Sequence, residues 1–587
     1  MKIPFLVPGL FTFCIGFLLV KCSPLAAPDS PLRIRWTHDP ETLDPMALPN
    51  QFAVDANNLL HYSLLQNNYS QQVFAPALVE SLPTVHLVGD SLTLLDYKLR
   101  TAATWDDGQP VLAHDVDFTL KLMHCPGLPN EAARSQFSFI RALRYDNSDP
   151  RRFTMYCQGQ APEFAQSSGD FFILSEAALD PQQRLRQYSL AQLRARTASA
   201  KPDSVLTTLA RRYLAATSGR WPGYLPGCGP YQLVAWEKNQ FLQLRRKSSW
   251  WGKRIKPTPF VLLARPAQLQ FAIIPDDATA SLALQRGELD VYPQVPVREF
   301  ARLQRLASAK SKLRFYTAPS YDVVTAGFNT RRPALADAGT RQALSRLFDA
   351  AGLLKATQQA EGLLTVGLIS PTDQTNYNDS LPLLHYSPTE AAVLLRRAGW
   401  QQGIGTAEST GWQRRSPQGR TERLTLSIRY RADETSFETA ALQFKAAAAQ
   451  LGIPVHLQPT ESAVLTASLQ AGDFDVYIRT IRGNPFIFNF APILHSRSVG
   501  EGNLTGYGTP SSDSLIEAIV TAGGPTRKAR LLRKLQTRLR VDAPLVPLFF
   551  LPMRIAAARN LTDLHVTGLK PGFAAAAISR VAEPIAQ

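Results

Sequence analysis

Across Leu469–Pro485 the hydrophobic pattern changes period. Leu469 and Gln470 close a helical repeat, and Gly472 supplies the left-handed residue that a helix end favours. The apolar run from Phe474 to Ile481 then suits a buried strand that breaks at Gly483 and Pro485. Irregular chain just beyond such a strand is where open α/β sheets bind ligands. The same phrase stands earlier as Leu284-Gln285-Arg286-Gly287-Glu288-Leu289-Asp290-Val291-Tyr292. Gly-acidic turns also recur by chance, but two copies of helix, Gly, acid, apolar, Asp, Val, Tyr imply two α/β lobes, each with its own helix-to-strand crossover.

The remaining periodicity is consistent with that class. Alternation predicts strands at Leu32–Trp36, Leu92–Arg100 and Leu424–Tyr430, and a strand pair running from Gly229 to Trp251-Gly252. Helical spacing predicts Ala113–Met123, a helix capped at Pro275-Asp276-Asp277, Thr340–Leu354 and Thr439–Leu451. Ser387-Pro388-Thr389-Glu390 combines an N-cap, Pro at the first helical position and an acid three residues on, and that helix stops at Gly399. The polar stretch Gln401–Arg423 reads as a loop or exposed hairpin. Asp542-Ala543-Pro544-Leu545-Val546-Pro547-Leu548-Phe549 closes the pattern as a return to the first lobe.

The start of the chain is different in kind. One Lys2 precedes an uncharged run Ile3–Val20 interrupted by Pro8, Gly9 and Gly16, the pattern of an export signal; as a membrane span it is short. Leu19-Val20-Lys21-Cys22 looks like a bacterial lipobox, with Lys21 in place of the usual small residue, so Cys22 is the expected lipidation site. No other segment is long and apolar enough to span a bilayer. At 587 residues, 45% hydrophobic and 19% charged, the rest is globular material too large for one core.

The net charge of +16 would suit nucleic acid, anionic lipid or an acidic ligand, but an exported chain without a nucleic-acid motif argues against the first. The most basic run, Arg527–Arg540, spaces its leucines helically and reads as an amphipathic helix with a solvated basic face. Of five cysteines, Cys125 and Cys157 are the expected disulfide in an oxidising compartment, leaving Cys228 over.

Several phrases in order carry a resemblance. They are Leu43-Asp44-Pro45, Trp105-Asp106-Asp107-Gly108, Ala113-His114-Asp115-Val116, Gly229-Pro230-Tyr231, Phe328-Asn329-Thr330, Ala398-Gly399-Trp400, Gly472-Asp473-Phe474-Asp475-Val476 and Ala543-Pro544-Leu545-Val546-Pro547. Together they resemble the extracytoplasmic solute-binding proteins of peptide, oligopeptide and nickel ABC importers (family 5), over nearly the whole mature chain. The resemblance implies an α/β, two-lobed periplasmic-binding-protein clamshell with a discontinuous first lobe and an inserted extra subdomain. Its expected parts are a signal peptide (1–21), an anchor linker (22–31), a first lobe (32–80, 216–318 and 546–587), an inserted subdomain (81–215) and a second lobe (319–545).

It also implies a function: a monomer, exported to the periplasm or cell envelope and lipid-anchored, that encloses a peptide or related small solute and delivers it to ABC permease subunits. In peptide binders of the family an Asp after the strand of the opening phrase pairs with the ligand α-amine. Here that position matches Asn484, which supplies no countercharge, and Arg482 lies beside it with Tyr430 and Arg431 after the neighbouring strand. An anionic, blocked or non-peptide ligand therefore stays open. Asn50, Gln51 and Phe52 approach from the first lobe by position, and Asn503 and Tyr507 match a phrase near the second-lobe site; packing or loop hydrogen bonding accounts for these equally well. Alternatives with the same fold are a sensor or a haem or nickel-chelate receptor. A lid-gated envelope hydrolase is the other class, yet no Gly-x-Ser-x-Gly, His-Glu-x-x-His or Gly-rich phosphate loop is present, and Asp106-Asp107 reads as a turn. No enzyme activity, cofactor, metal or nucleic-acid partner is expected.

Overall fold

The computed structural model describes residues 30–89, 91–128, 130–161, 163–196, 203–217, 225–403, 411–415 and 419–581. The expected signal peptide and Cys22 lie outside them.

One mixed sheet of 11 strands runs through both lobes. Its first-lobe part is ordered Tyr231–Glu237, Phe241–Arg246, Gln268–Ile273, Leu32–Trp36 and Val291–Pro293. Its second-lobe part ends on Val476–Arg482, Leu426–Arg431 and Val455–Thr460. Both copies of the sequence phrase fold as their pattern dictates. Helix Asp277–Arg286 is capped by Asp276 and stopped by Gly287 at φ 73°, and it feeds Val291–Pro293. Helix Ser462–Gln470 is followed by Gly472 at φ 72° and then Val476–Arg482.

Two long strands, Leu313–Phe328 and Leu545–Ala558, join the lobes. Leu313–Pro319 pairs with Pro552–Ala558 on the first-lobe side; Val323–Gly327 pairs with Leu545–Phe550 on the second. Between them the register slips, so that Ser320, Tyr321 and Asp322 face Leu551 alone. Pro319 and Pro552 stand at the slip and Pro547 at a second one, and none of the three has an N–H to give to the ladder. Local bonds replace the lost ones: the Ser320 hydroxyl donates to the Leu551 carbonyl at 2.6 Å, and Gly483 N donates to the Tyr321 carbonyl at 2.9 Å.

Separate hydrophobic cores lie on either side. Leu32, Ile34, Trp36, Phe271 and Ile555 belong to the first lobe's, and Phe328, Phe348, Ile428, Phe444 and Ile478 to the second's. A third core is built on the four-stranded sheet of Thr84–Val88, Leu92–Lys98, Arg152–Gln158 and Ile140–Tyr145, with helix Ala113–Leu122. This inserted unit is tied back by buried Asp44, which accepts from the backbone of Met46 and Ala47 and from the Tyr213 hydroxyl. The basic run forms the helix Pro525–Asp542. Its face is not wholly solvated, because Lys528 is buried against Glu163 of the inserted unit.

One expectation is refined here and another is overturned. The stretch Gln401–Arg423 contributes three short strands, Gln401–Gly403, Gly411–Arg415 and Thr421–Arg423, pinned by the buried Trp412. Cys125 and Cys157 form no disulfide. Cys157 lies in the strand opposite Thr93, whereas the Cys125 thiol donates to the Leu206 carbonyl, and both are buried as free thiols in the same apolar core. Burial pushes both thiols up to about 12.

The slip is also packed closely from outside. A Cβ at Gly568 would lie 2.2 Å from the Pro319 carbonyl oxygen, a backbone atom with little freedom to retreat. Gly568→Ala should therefore lower stability by about 1–3 kcal/mol, read as a lower urea midpoint; an unchanged midpoint would mean that the inter-lobe strands yield easily.

Candidate functional site

A cavity of about 970 Å³ opens between the lobes. That is near the upper end of the ~300–1,000 Å³ typical of small-ligand clefts. Its back wall is aromatic: Trp36 stacks on Phe271 at 4.1 Å between centroids and meets Phe52 at 5.4 Å. The wall is set by the alternation of strand Leu32–Trp36 and by helix Gln51–Leu60, which Asn50 caps by accepting from Ala53 N at 3.0 Å.

The cavity carries charge of both signs. The wall formed by the first lobe and the inserted subdomain presents Asp55, Asp170 and Glu41 together with Arg35, which is paired with Asp277, and Lys570. Asp55, 8% exposed on helix Gln51–Leu60, accepts one bond, from Gln51 Nε2 at 2.8 Å. Asp170 is half-buried, and no side chain among the described residues donates to its carboxylate. Burial pushes Asp55 up to about 7, with the Gln51 amide and Lys570 pulling the other way; burial also pushes Asp170 up to about 7. Tyr69 feels both carboxylates, but its hydroxyl donates to the Lys570 carbonyl at 2.8 Å. Lys570 itself is held 2.6 Å from Asp322 at the register slip.

From the second lobe, the described residues that line the cavity are Arg431 and Arg482. Arg431 is paired with Asp433 at 2.6 Å and Glu434 at 3.2 Å. Arg482, exposed at the end of its strand, has no ion-pair partner among the described residues; its ladder neighbour Asp322 is occupied by Lys570.

The structure therefore brings Asn50, Gln51, Phe52, Arg431 and Arg482 to the cavity and leaves four expected residues away from it. Tyr430 points into the second-lobe core. Asn484 turns its side chain onto its own loop, accepting from Phe486 N at 2.8 Å. Asn503 is 1% exposed and donates to the carbonyls of His495 and Tyr507. Buried Tyr507 donates to Asp542 at 2.6 Å. Tyr430, Asn503 and Tyr507 are buried in the protein, whereas Asn484 is exposed on its loop. Sequence reasoning missed Asp55 and Asp170, and also Gln66 and Asn67, whose buried Nε2 and Oδ1 atoms have no partner and belong to cavity-lining residues. A lone acid inside the apolar Phe52–Leu60 run was the available signal for Asp55.

Contacts across the cleft complete the geometry. Phe74 meets Phe486 at 4.7 Å, Tyr321 donates to Gln72 at 3.1 Å, and Lys528 pairs with Glu163.

Residues 74–494 match the family model "Bacterial extracellular solute-binding proteins, family 5 Middle". The chain belongs to this family. It is 29% identical over 178 residues to the dipeptide-binding protein of Escherichia coli (strain K12), covering 30% of this chain and 31% of that one. It is 23% identical over 324 residues to heme-binding protein A of Haemophilus influenzae, covering 55% and 54%. The chain thus matches 31% and 54% of the length of these two relatives. The oligopeptide-binding protein AppA of Bacillus subtilis, solved with a nonapeptide, superposes with a TM-score of 0.67 at 17% identity, covering 91% of this chain and 95% of that one. The two-lobed α/β fold is the family's, and the family is a substrate-binding one.

The raised carboxylates carry a pH signature. Because Asp55 and Asp170 titrate higher in the folded chain than unfolded, the folded chain holds more protons between about pH 4 and 7. Stability of the ligand-free protein therefore falls as pH rises through that window. Replacing both by Asn should flatten this part of the Tm-against-pH profile and raise Tm at pH 8; a profile parallel to the wild type's would show that neither group is desolvated.

Proposed function

We propose that this protein is the extracytoplasmic solute-binding component of an ABC importer, capturing a peptide or a related small solute between its lobes and presenting the closed form to permease subunits. The observation that carries the reading is a cavity walled by residues of both lobes. A solute that touches both walls favours the closed arrangement by its differential affinity for it. The family match and the dipeptide-binding relative support a peptide.

A haem or metal-chelate solute is the second reading, favoured by the heme-binding relative and the aromatic wall. Among the described residues no cluster of three His, Cys, Asp or Glu could hold a bare metal ion. A chelate would then be held through its organic part.

The export and anchor expectations extend the proposal: Cys22 would carry the lipid and keep the cleft at a membrane surface, and no helix among the described residues is long and apolar enough to cross a membrane.

Protein purified from its native host should release a trapped solute on denaturation, identified by mass spectrometry. That solute, added back at about 100 times its Kd, should stabilise the protein by about 2.7 kcal/mol. An empty protein whose Tm is raised by no peptide, haem or chelate would overturn the capture reading. Cys22→Ser should move the protein from the membrane fraction to the soluble extract, and its retention there would remove the lipid anchor.

A further inference from the structure

The first-lobe sheet ends, on the side away from the cleft, in a basic edge. Strands Leu32–Trp36, Gln268–Ile273 and Val291–Pro293 run in parallel toward the cavity, which Trp36, Thr37, His38, Pro293 and Gln294 line at their far ends. Their starting ends share one level with the neighbouring strands. Leu32 is level with Leu269, and Leu269 with Leu244. On the other side Asp290 N donates to the Arg33 carbonyl, Ala558 N to the Asp290 carbonyl and Arg559 N to the Lys312 carbonyl. Arg245 stands at one flank of this edge, and Lys253, Arg254 and Lys256 follow in the connection 247–267, which leaves the edge, returns to it and contains no acid. Lys310, Lys312 and Arg559 stand at the other flank. All seven are exposed, and none has a carboxylate partner among the described residues; Lys253, Arg254 and Arg559 donate to backbone carbonyls. Against them stand Glu288, exposed ahead of Val291–Pro293, and acids that are already paired: Asp290 with Arg33 and Arg580, Asp563 with Arg265, and Asp106 with Lys247.

The chain enters between the two flanks. Five strand-to-strand steps separate Phe241–Arg246 from Leu313–Phe328, so at about 4.8 Å per step the flanks stand about 24 Å apart. Ser30 and Pro31 lead into Leu32–Trp36, two strands from Arg245 and three from Lys312. Cys22 stands ten residues before Leu32, a reach of about 35 Å at full extension. A lipid on Cys22 therefore holds this edge, and not the cleft, next to the membrane. We propose that the strand-start edge of the first lobe is a docking surface for anionic phospholipid headgroups, which lays the tethered protein on the membrane with its cleft directed away. The inference rests on the anchor reading above and adds an orientation to it. Each Lys or Arg near such a surface strengthens binding about fivefold, and the attraction fades within a Debye length, about 10 Å at 0.1 M salt. Such an edge is weak alone. The tether makes it an intramolecular contact, so the lipid retains the protein and the edge orients it.

The test is vesicle sedimentation of the mature Cys22→Ser protein, which carries no acyl chain, so that the result is independent of the anchor. Vesicles are phosphatidylcholine alone or with about 30% phosphatidylglycerol, in about 50 mM and about 0.5 M salt. Binding is expected to the anionic vesicles and at low salt only. The triple variant Arg245→Gln, Lys253→Gln, Lys256→Gln should lower that partition about a hundredfold, and the double variant Lys310→Gln, Lys312→Gln about twentyfold. The double variant serves if the triple one fails to fold. The control is Arg527→Gln, Arg530→Gln, Lys534→Gln, the same loss of charge from exposed positions on the second-lobe helix Pro525–Asp542; it should stay within about threefold of the parent protein. The proposal is overturned if anionic vesicles are not preferred, if binding survives both edge variants, or if the control loses as much as the triple variant, which would leave net charge alone at work. Mass spectrometry of the native protein reads acylation of Cys22 separately. An unmodified Cys22 with edge binding intact would sink the anchor and leave the docking surface, whereas an acylated Cys22 with no lipid preference would sink only the docking surface.

Discussion

Two antiparallel strands carry the sheet from one lobe to the other, and the slip between them is the constraint on which the rest depends. A regular ladder from Leu313 to Phe328 against Leu545 to Ala558 would make the lobes one rigid slab. Three residues facing one, with prolines at the slip, remove ladder bonds where the lobes meet, while the strands stay paired on either side. The cores on the two sides stay separate, so bending at the slip disturbs neither. Lys570, which lines the cleft, pairs with Asp322 at the slip and ties the one to the other.

That geometry explains why groups that are costly to bury collect there. Asp55, Asp170, Gln66 and Asn67 are partly or wholly withdrawn from water without the partners that interiors normally supply. In a structural core such groups would be defects; in a cleft they are unfilled valences. The Lys528–Glu163 and Phe74–Phe486 contacts at the rim stabilise the approach of the lobes independently of what the cavity holds. The solute need then contribute only part of the closing free energy.

Local chemistry was legible along the chain. Gly287 and Gly472 end helices because a left-handed residue is required there, Ser387 caps a helix through its hydroxyl, and the strand at Leu32–Trp36 follows from alternation. The repeated helix-Gly-acid-strand phrase pointed to two lobes because each copy is one complete crossover. Where a phrase marked a neighbourhood but not a direction, the reading failed: Asn503 and Tyr507 lie in the right loop yet spend their polar atoms on His495 and Asp542. Cys125 and Cys157 share one subdomain core yet stay free thiols, which spacing alone does not express.

What the sequence determined by itself is whatever depends on near neighbours: element type, caps, strand faces and the order of units. Tertiary structure alone decided which polar groups share the cavity. Asp55 comes from the first lobe, Asp170 from the inserted subdomain and Arg482 from the second lobe, and they share a cavity only because two strands pair over more than two hundred residues of chain to join the lobes. A carboxylate's role depends on whether a cation reaches it, and that distance is a property of the folded packing, which no local pattern encodes.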